Sequence, residues 1–236
     1  LGFLQDIAPV LQKHKLTFLE KRHETGNITS FFFQSEDSIT WKAGQHGILS
    51  FSRKLKGGSW RGFSIASHPD EAVVHISTRI TEKPSAYKQA LSELTPGDQI
   101  SMRGPFGPFY LDGSQKPVVL IAGGIGITPY RSMIMHAALH KDQAPSAMQL
   151  LYADNAEQYA YRQEFEEVVS QNDFIKADYL TSLTLASNLS ACVRDWGNNA
   201  GYYISGSGKM IGSVKKSLIE QRIAKRNIKH DLFLGL

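Results

Sequence analysis

The chain has a single cysteine, Cys192, among 236 residues. One thiol excludes an intrachain disulfide. It also excludes a four-cysteine zinc or iron–sulfur site built by this chain alone. Long apolar runs are missing too: the best, Val118 to Ile127, is broken by glycines and falls short of the roughly 18–20 residues that span a bilayer. No signal-peptide pattern opens the sequence. Charge of one sign is scarce, with a net charge of +4 and no basic run long enough to suggest nucleic acid. HExxH and GxSxG are absent. His136 and His140 lie four apart on one predicted helix but have no third ligand, so no metal site is expected. What remains is an ordinary globular composition, 42% hydrophobic and 20% charged, long enough for one large domain or two modest ones.

The pattern along the chain changes once. Residues 1–14 carry Phe3, Leu4, Ile7, Val10 and Leu11 at helical spacing, which predicts a packed terminal helix or a connector. From Lys15 to Gly113 the pattern is mostly strand: Leu16–Glu20, Ile28–Phe33 after a turn at Glu24–Asn27, Gly47–Phe51, Arg61–Ala66, Ala72–Ser77 and Gln99–Arg103. One helix interrupts them, with Ser85 as N-cap, Ala86 to Leu94 as body and a stop near Pro96-Gly97. Six short strands and one helix predict a small antiparallel barrel over 15–113. From residue 114 to 236, strands at Val118–Ala122, Met148–Tyr152, Lys176–Leu180, Gly201–Ser205 and His230–Leu234 alternate with helices at Tyr130–His140, Gln158–Gln171 and Met210–Arg222. The segment after Leu180 has no clear assignment. That alternation predicts a Rossmann-like parallel α/β domain.

Two blocks carry chemistry. Gly123-Gly124-Ile125-Gly126-Ile127-Thr128-Pro129 joins a buried strand to a helix. Glycines let the backbone approach a pyrophosphate, and a helix start offers free N–H groups with a partial positive charge. Pro129 breaks a strict GxGxxG but suits a first helical turn; the Thr128 hydroxyl is expected near the ligand. Upstream, Arg61-Gly62-Phe63-Ser64 places Arg61 and Phe63 on one strand face and Ser64 on the other. An Arg offers a fork to phosphate, an aromatic can stack on a flat ring, and a Ser can donate to a ring atom. Ser85 at its helix start could take a second phosphate. Arg103-Gly104-Pro105-Phe106-Gly107-Pro108-Phe109 predicts a rigid, domain-closing turn.

In this order the blocks resemble the ferredoxin–NADP reductase superfamily over nearly the whole chain. The resemblance implies that Arg61 and Ser85 hold a flavin pyrophosphate, that Phe63 packs on the isoalloxazine with Gly62 beside it, and that Ser64 lies near its reactive nitrogen. It implies flavin contacts from His75, Ile76 and Ser77 on the fifth strand. It assigns Gly123, Gly124, Gly126, Thr128 and Pro129 to NAD(P)H, with Ser205, Gly206 and Met210 in the block Ser205-Gly206-Ser207-Gly208-Lys209-Met210 near the nicotinamide. Phe233 in the terminal strand would cover the flavin. Ser64, Ser205 and Phe233 are the catalytic expectations. Ser205 stands where the family usually has Cys, and Thr181-Ser182-Leu183 does not match the family's Ser-Arg clamp for the 2′-phosphate, for which Arg194 or Lys209 could substitute. The Gly62-Phe63-Ser64 core is closest to the cytosolic dehydrogenase domain of bacterial NADPH oxidases and membrane ferric reductases.

The implied activity is hydride transfer from NADH or NADPH to FAD, followed by single-electron transfer. The implied acceptor is the haem of a covalently attached transmembrane domain, which with the missing initiator methionine suggests a chain at the cytoplasmic face of the cell membrane. A soluble ferredoxin, flavodoxin or free-flavin reductase is the alternative, and a non-catalytic nucleotide-binding subunit is a third reading. FAD against FMN, and NADH against NADPH, stay open.

Overall fold

A computed structural model describes residues 12–231. The chain divides into two compact units between Tyr110 and Leu111. The expected helix or connector over 1–14 lies outside the described residues except at its end. There Lys13 and His14 are strand, because they pair with Arg103 and Met102.

The first unit is a six-stranded antiparallel curled sheet. Its strands are β1 (Lys13–Thr25), β2 (Ile28–Ser35), β3 (His46–Ser50), β4 (Trp60–Ser64), β5 (Val74–Arg79) and β6 (Gln99–Phe106), in the order β4-β3-β6-β1-β2-β5. Inward residues alternate with outward ones, and Leu16, Phe18, Phe31, Phe33, Leu49, Ile76 and Met102 fill the centre. The edge strands β4 and β5 are joined where the chain leaves β4: Ala66 N donates to His75 O at 2.7 Å and His75 N to Ser67 Oγ at 3.0 Å. Strand β1 runs past its apolar half to Thr25, because the backbone ladder with β2 continues through the polar Lys21–His23. Strand β6 likewise continues through Gly104-Pro105-Phe106, which was expected to be turn, since His46 still pairs with Phe106. Helix α1 (Ala86–Ser92) is capped by Ser85 and inserts Tyr87 into the core.

The second unit is a five-stranded parallel sheet of β7 (Val118–Gly123), β8 (Met148–Ala153), β9 (Ile175–Leu180), β10 (Gly201–Ser205) and β11 (Ile228–His230), ordered β11-β10-β7-β8-β9. Strands β7 and β8 are almost wholly buried, as strands covered on both faces must be. The helices are α2 (Thr128–Leu139), α3 (Arg162–Ser170), α4 (Ser182–Trp196) and α5 (Gly208–Glu220). Helix α4 fills the segment left unassigned from sequence. A Thr181–Thr184 capping box starts it, Gly197 stops it, and Leu185, Leu189 and Cys192 bury its apolar stripe. No helix among the described residues is long and apolar enough to cross a membrane.

Candidate functional site

In the barrel unit, β4 and α1 bring Arg61 and Tyr87 together. The Arg61 guanidinium stands 5.3 Å over the Tyr87 ring and donates to Trp60 O at 2.7 Å and Gly57 O at 3.0 Å. Two cations that sequence inspection missed join it. Burial first, then Arg61 and Arg79, hold the Lys88 ammonium below its ordinary pKa. Arg61 on β4 and Arg79 on β5 thus both act on Lys88 in the first turn of α1, while Arg79 also donates to Asn27 Oδ1 at 3.0 Å. Signals for both were present: Arg79 follows Ser77 by two on one strand face, and Lys88 sits in the first turn after the Ser85 cap. The Ser85 hydroxyl accepts from Lys88 N at 3.4 Å, so it caps the helix.

The other flavin expectations divide. Phe63 does not lie on an open face: it is 6% exposed, belongs to the barrel core and packs 6.0 Å from Tyr87 between ring centres. Strand alternation turns it inward on the Arg61 face. Ser64 is buried on the opposite face. Ile76 is likewise core, and its neighbours point the other way. His75 stacks on Phe32 at 4.3 Å, its Nε2 lies 3.2 Å from Ser77 Oγ, and Ser77 Oγ lies 2.6 Å from Ser30 Oγ. This makes a buried polar row on the face of β2 and β5 opposite the barrel core. Gly62 is exposed, and a Cβ there would meet nothing within 4 Å. Phe233 lies outside the described residues.

In the α/β unit, β7 ends in a 3-10 turn, Gly124–Ile127, that runs directly into α2, with Pro129 in its first turn. Neither the turn nor the helix has a side-chain cap or an acidic residue in its first turn. The Thr128 N–H already donates to Ile125 O within the turn, so it is the N–H groups opening the 3-10 turn itself that an external acceptor could meet. Gly124 has φ +53°, a left-handed conformation natural to glycine. Thr128 departs from expectation. It is 1% exposed, and its hydroxyl donates to Ile125 O at 2.7 Å, so it closes the turn.

Gly123 and Gly126 have a second, steric role. A Cβ on Gly126 would lie 2.4 Å from Ser205 O and 2.7 Å from Gly206 N, and one on Gly123 would lie 2.1 Å from Met210 Sδ. The glycine turn and the end of β10 are therefore in backbone contact. This places Ser205, Gly206 and Met210 beside Gly123–Gly126, as the sequence reading grouped them. Ser205 is fully buried, and its hydroxyl has no hydrogen-bond partner among the described residues. A buried hydroxyl left this way costs about 1–3 kcal/mol, which a bound polar ligand would offset.

Residues 120–216 match the profile described as oxidoreductase NAD-binding domain. The flavohemoprotein of Bacillus subtilis is 29% identical over 235 residues, covering 91% of this chain and 57% of that protein. Among solved structures, the flavohem-like FAD/NAD-binding domain of nitric oxide dioxygenase from Vibrio cholerae aligns with a TM-score of 0.78 at 19% identity, covering 93% of this chain and 98% of that one. A mutant ferredoxin–NADP+ reductase from Plasmodium falciparum aligns with a TM-score of 0.80 at 15% identity, covering 94% and 96%.

Proposed function

We infer from this set that the chain belongs to the ferredoxin–NADP reductase superfamily, and we propose that it is an NAD(P)H-dependent flavin oxidoreductase. FAD is assigned to the barrel unit, over about residues 15–113, and NAD(P)H to the α/β unit, over about 114–236. The observation that carries the reading is Arg61 standing 5.3 Å over Tyr87 beside the start of α1, where Lys88 also feels the charges of Arg61 and Arg79. A pyrophosphate there would replace mutual repulsion with charge-assisted hydrogen bonds. The uncapped glycine turn supports a second phosphate group in the other unit.

FAD, when bound, would supply the chemistry of accepting hydride from NAD(P)H and releasing electrons singly. The chain's own residues bind and orient. Arg61, Arg79 and Lys88 hold the flavin phosphates, while Ser64, His75 and Ser77 fix the ring. The glycine turn holds the nucleotide phosphates, and Ser205 offers its unpartnered hydroxyl to the nicotinamide half. Phe233 is assigned to cover the flavin.

For the acceptor we propose the haem of an attached transmembrane domain at the cytoplasmic face of the cell membrane, with dioxygen or ferric iron beyond it. The Gly62-Phe63-Ser64 core supports this. The alternative, a soluble ferredoxin, flavodoxin or free-flavin reductase, is favoured by the match to 96% of a ferredoxin–NADP+ reductase chain. The test is to add FAD to the purified protein and titrate it anaerobically with NADH and NADPH. Bleaching of flavin absorbance is expected, and a colourless protein that does not retain FAD would refute the reading. A haem spectrum from the product of the parent reading frame separates the two acceptors.

A further inference from the structure

The α/β unit carries its charge unevenly. Helix α5 is the crossover between β10 and the edge strand β11. Along it and the turn that follows, Lys209, Lys215, Lys216, Arg222, Lys225 and Arg226 stand against a single acid, Glu220. At the other end of the order β11-β10-β7-β8-β9, helix α3 packs beside β9. There Glu157, Glu164, Glu166, Glu167, Asp173 and Asp178 outnumber Arg162 and Lys176. One edge of the sheet is therefore basic and the opposite edge acidic.

The cations differ in pairing as well. Beside the acidic edge, Arg162 donates to Glu166 at 2.7 Å and Arg131 to Glu164 at 2.9 Å. On α5, Lys216 lies 3.8 Å from Glu220, at the outer limit of an ion pair. Lys209, Lys215, Arg222, Lys225 and Arg226 have no ion-pair partner among the described residues. Burial first, then Lys215, hold His230 below its ordinary pKa, so the charge of the helix reaches the edge strand. Lys229 on β11 is paired with Asp112 at 3.3 Å and adds little to the patch.

Two kinds of partner would match this edge in charge, an acidic protein and an anionic bilayer. Composition separates them. Protein interfaces concentrate Tyr, Trp, Phe and Arg and are poor in Lys. Residues 208–230 contain no Phe, Tyr or Trp, and four of the six cations are Lys. Ile219, 40% exposed, is the one large apolar side chain exposed on this edge among the described residues. It follows Lys215 by four and Lys216 by three, so it sits among cations on one helix surface. Basic side chains around a shallow apolar contact suit a layer of anionic headgroups.

We propose that the α5–β11 edge is a docking surface for an anionic lipid bilayer. Four strand spacings, roughly 19 Å, separate β11 from β9. That is about two Debye lengths at physiological salt, so the acidic edge subtracts little from the attraction. The proposal does not rest on the flavin or nucleotide assignments, and its failure leaves them standing.

The test floats the purified protein, with FAD added, on vesicles of phosphatidylcholine alone or with about 30% phosphatidylserine. Binding is expected to the mixed vesicles only, and to disappear between about 0.05 M and 0.5 M salt. Each Lys or Arg near such a surface contributes about fivefold in partitioning. Lys215→Gln with Lys216→Gln, and Lys225→Gln with Arg226→Gln, should therefore each lower it by roughly 10–30-fold. None of these four residues is buried. Lys141→Gln with Lys176→Gln removes as many cations away from the edge and should change partitioning by less than about threefold. No binding to the mixed vesicles at low salt would overturn the proposal. So would an equal loss in the Lys141 and Lys176 pair, which would trace the attraction to net charge alone. Binding to soluble poly-glutamate with none to the vesicles would overturn it in favour of an acidic protein partner.

Discussion

Gly126→Ala is the sharpest test of how the glycine turn is built. The backbone φ of Gly126 is not left-handed, so alanine could adopt it, and the obstacle is space alone. Its Cβ would lie 2.4 Å from Ser205 O, 2.5 Å from Ser205 C and 2.7 Å from Gly206 N. These distances fall about 1 Å short of van der Waals contact, and all three atoms are backbone, which cannot rotate away. Overpacking of this kind costs about 1–3 kcal/mol, and rigid obstacles put it in the upper part of that range. For a unit of this size, about 2–3 kcal/mol lowers Tm by roughly 6–15 °C. Gly123→Ala should cost less, because its Cβ would meet Met210 Sδ at 2.1 Å and a thioether can swing aside. Gly212→Ala is the control: it sits within α5 with nothing within 4 Å, so it should stabilise by about 0.5–1 kcal/mol. Thermal melts followed by circular dichroism should rank the variants Gly126→Ala, Gly123→Ala, wild type, Gly212→Ala in rising order. Gly126→Ala should also lose ADP-ribose affinity while keeping FAD. A Gly126→Ala protein that melts with the wild type and binds ADP-ribose normally would refute the reasoning.

Arg61→Gln should weaken FAD roughly 10–100-fold by fluorescence titration and leave ADP-ribose binding intact, and undiminished FAD affinity would remove Arg61 from the phosphate site. Burial lowers the pKa of His46, whose ring packs 4.3 Å from Phe106, so the folded protein binds fewer protons there than the unfolded chain. Stability should therefore fall as pH drops through the ordinary value of 6.5 toward the folded one, and His46→Gln should flatten that slope in denaturant melts at pH 8 and pH 5; equal slopes would contradict it. Burial pushes Cys192 up to about 11, so at pH 8 roughly one thiol in a thousand is thiolate. A disulfide reagent should label it far more slowly in the native protein than in denaturant, and similar rates would show that the thiol is open.

The fold was legible wherever burial wrote a pattern into the sequence. Strand β7 is a continuous apolar run, and β8 one broken only by Gln149, because both faces are covered, and Ser85 announced α1 because its hydroxyl is the cap. The charged half of β1 was invisible for the converse reason: it is held to β2 by a backbone ladder, which leaves no trace in side-chain type. Helix α4 was readable in principle, since Leu185, Leu189 and Cys192 repeat at helical spacing between Thr181 and Gly197. The many Ser, Thr and Asn residues around that stripe obscured it, because they also favour turns.

The candidate site was legible by residue type and much less by role. A glycine says that something lies close by without saying what. At Gly126 the neighbour is the carbonyl of Ser205, 79 positions along the chain, and no local pattern encodes that distance. The same contact limits what the turn can carry. A side chain at 126 would force β10 away from the turn, and an acidic residue or cap at its start would occupy the N–H groups that a phosphate needs. Phe63 and Thr128 suited a ligand chemically, yet packing claims the Phe63 ring and the turn claims the Thr128 hydroxyl. Arg79 and Lys88 were passed over because each is an unremarkable surface residue until the chain folds. Once the chain folds, the charges of Arg61 and Arg79 reach Lys88 in the first turn of α1, and no spacing along the sequence announces that they meet.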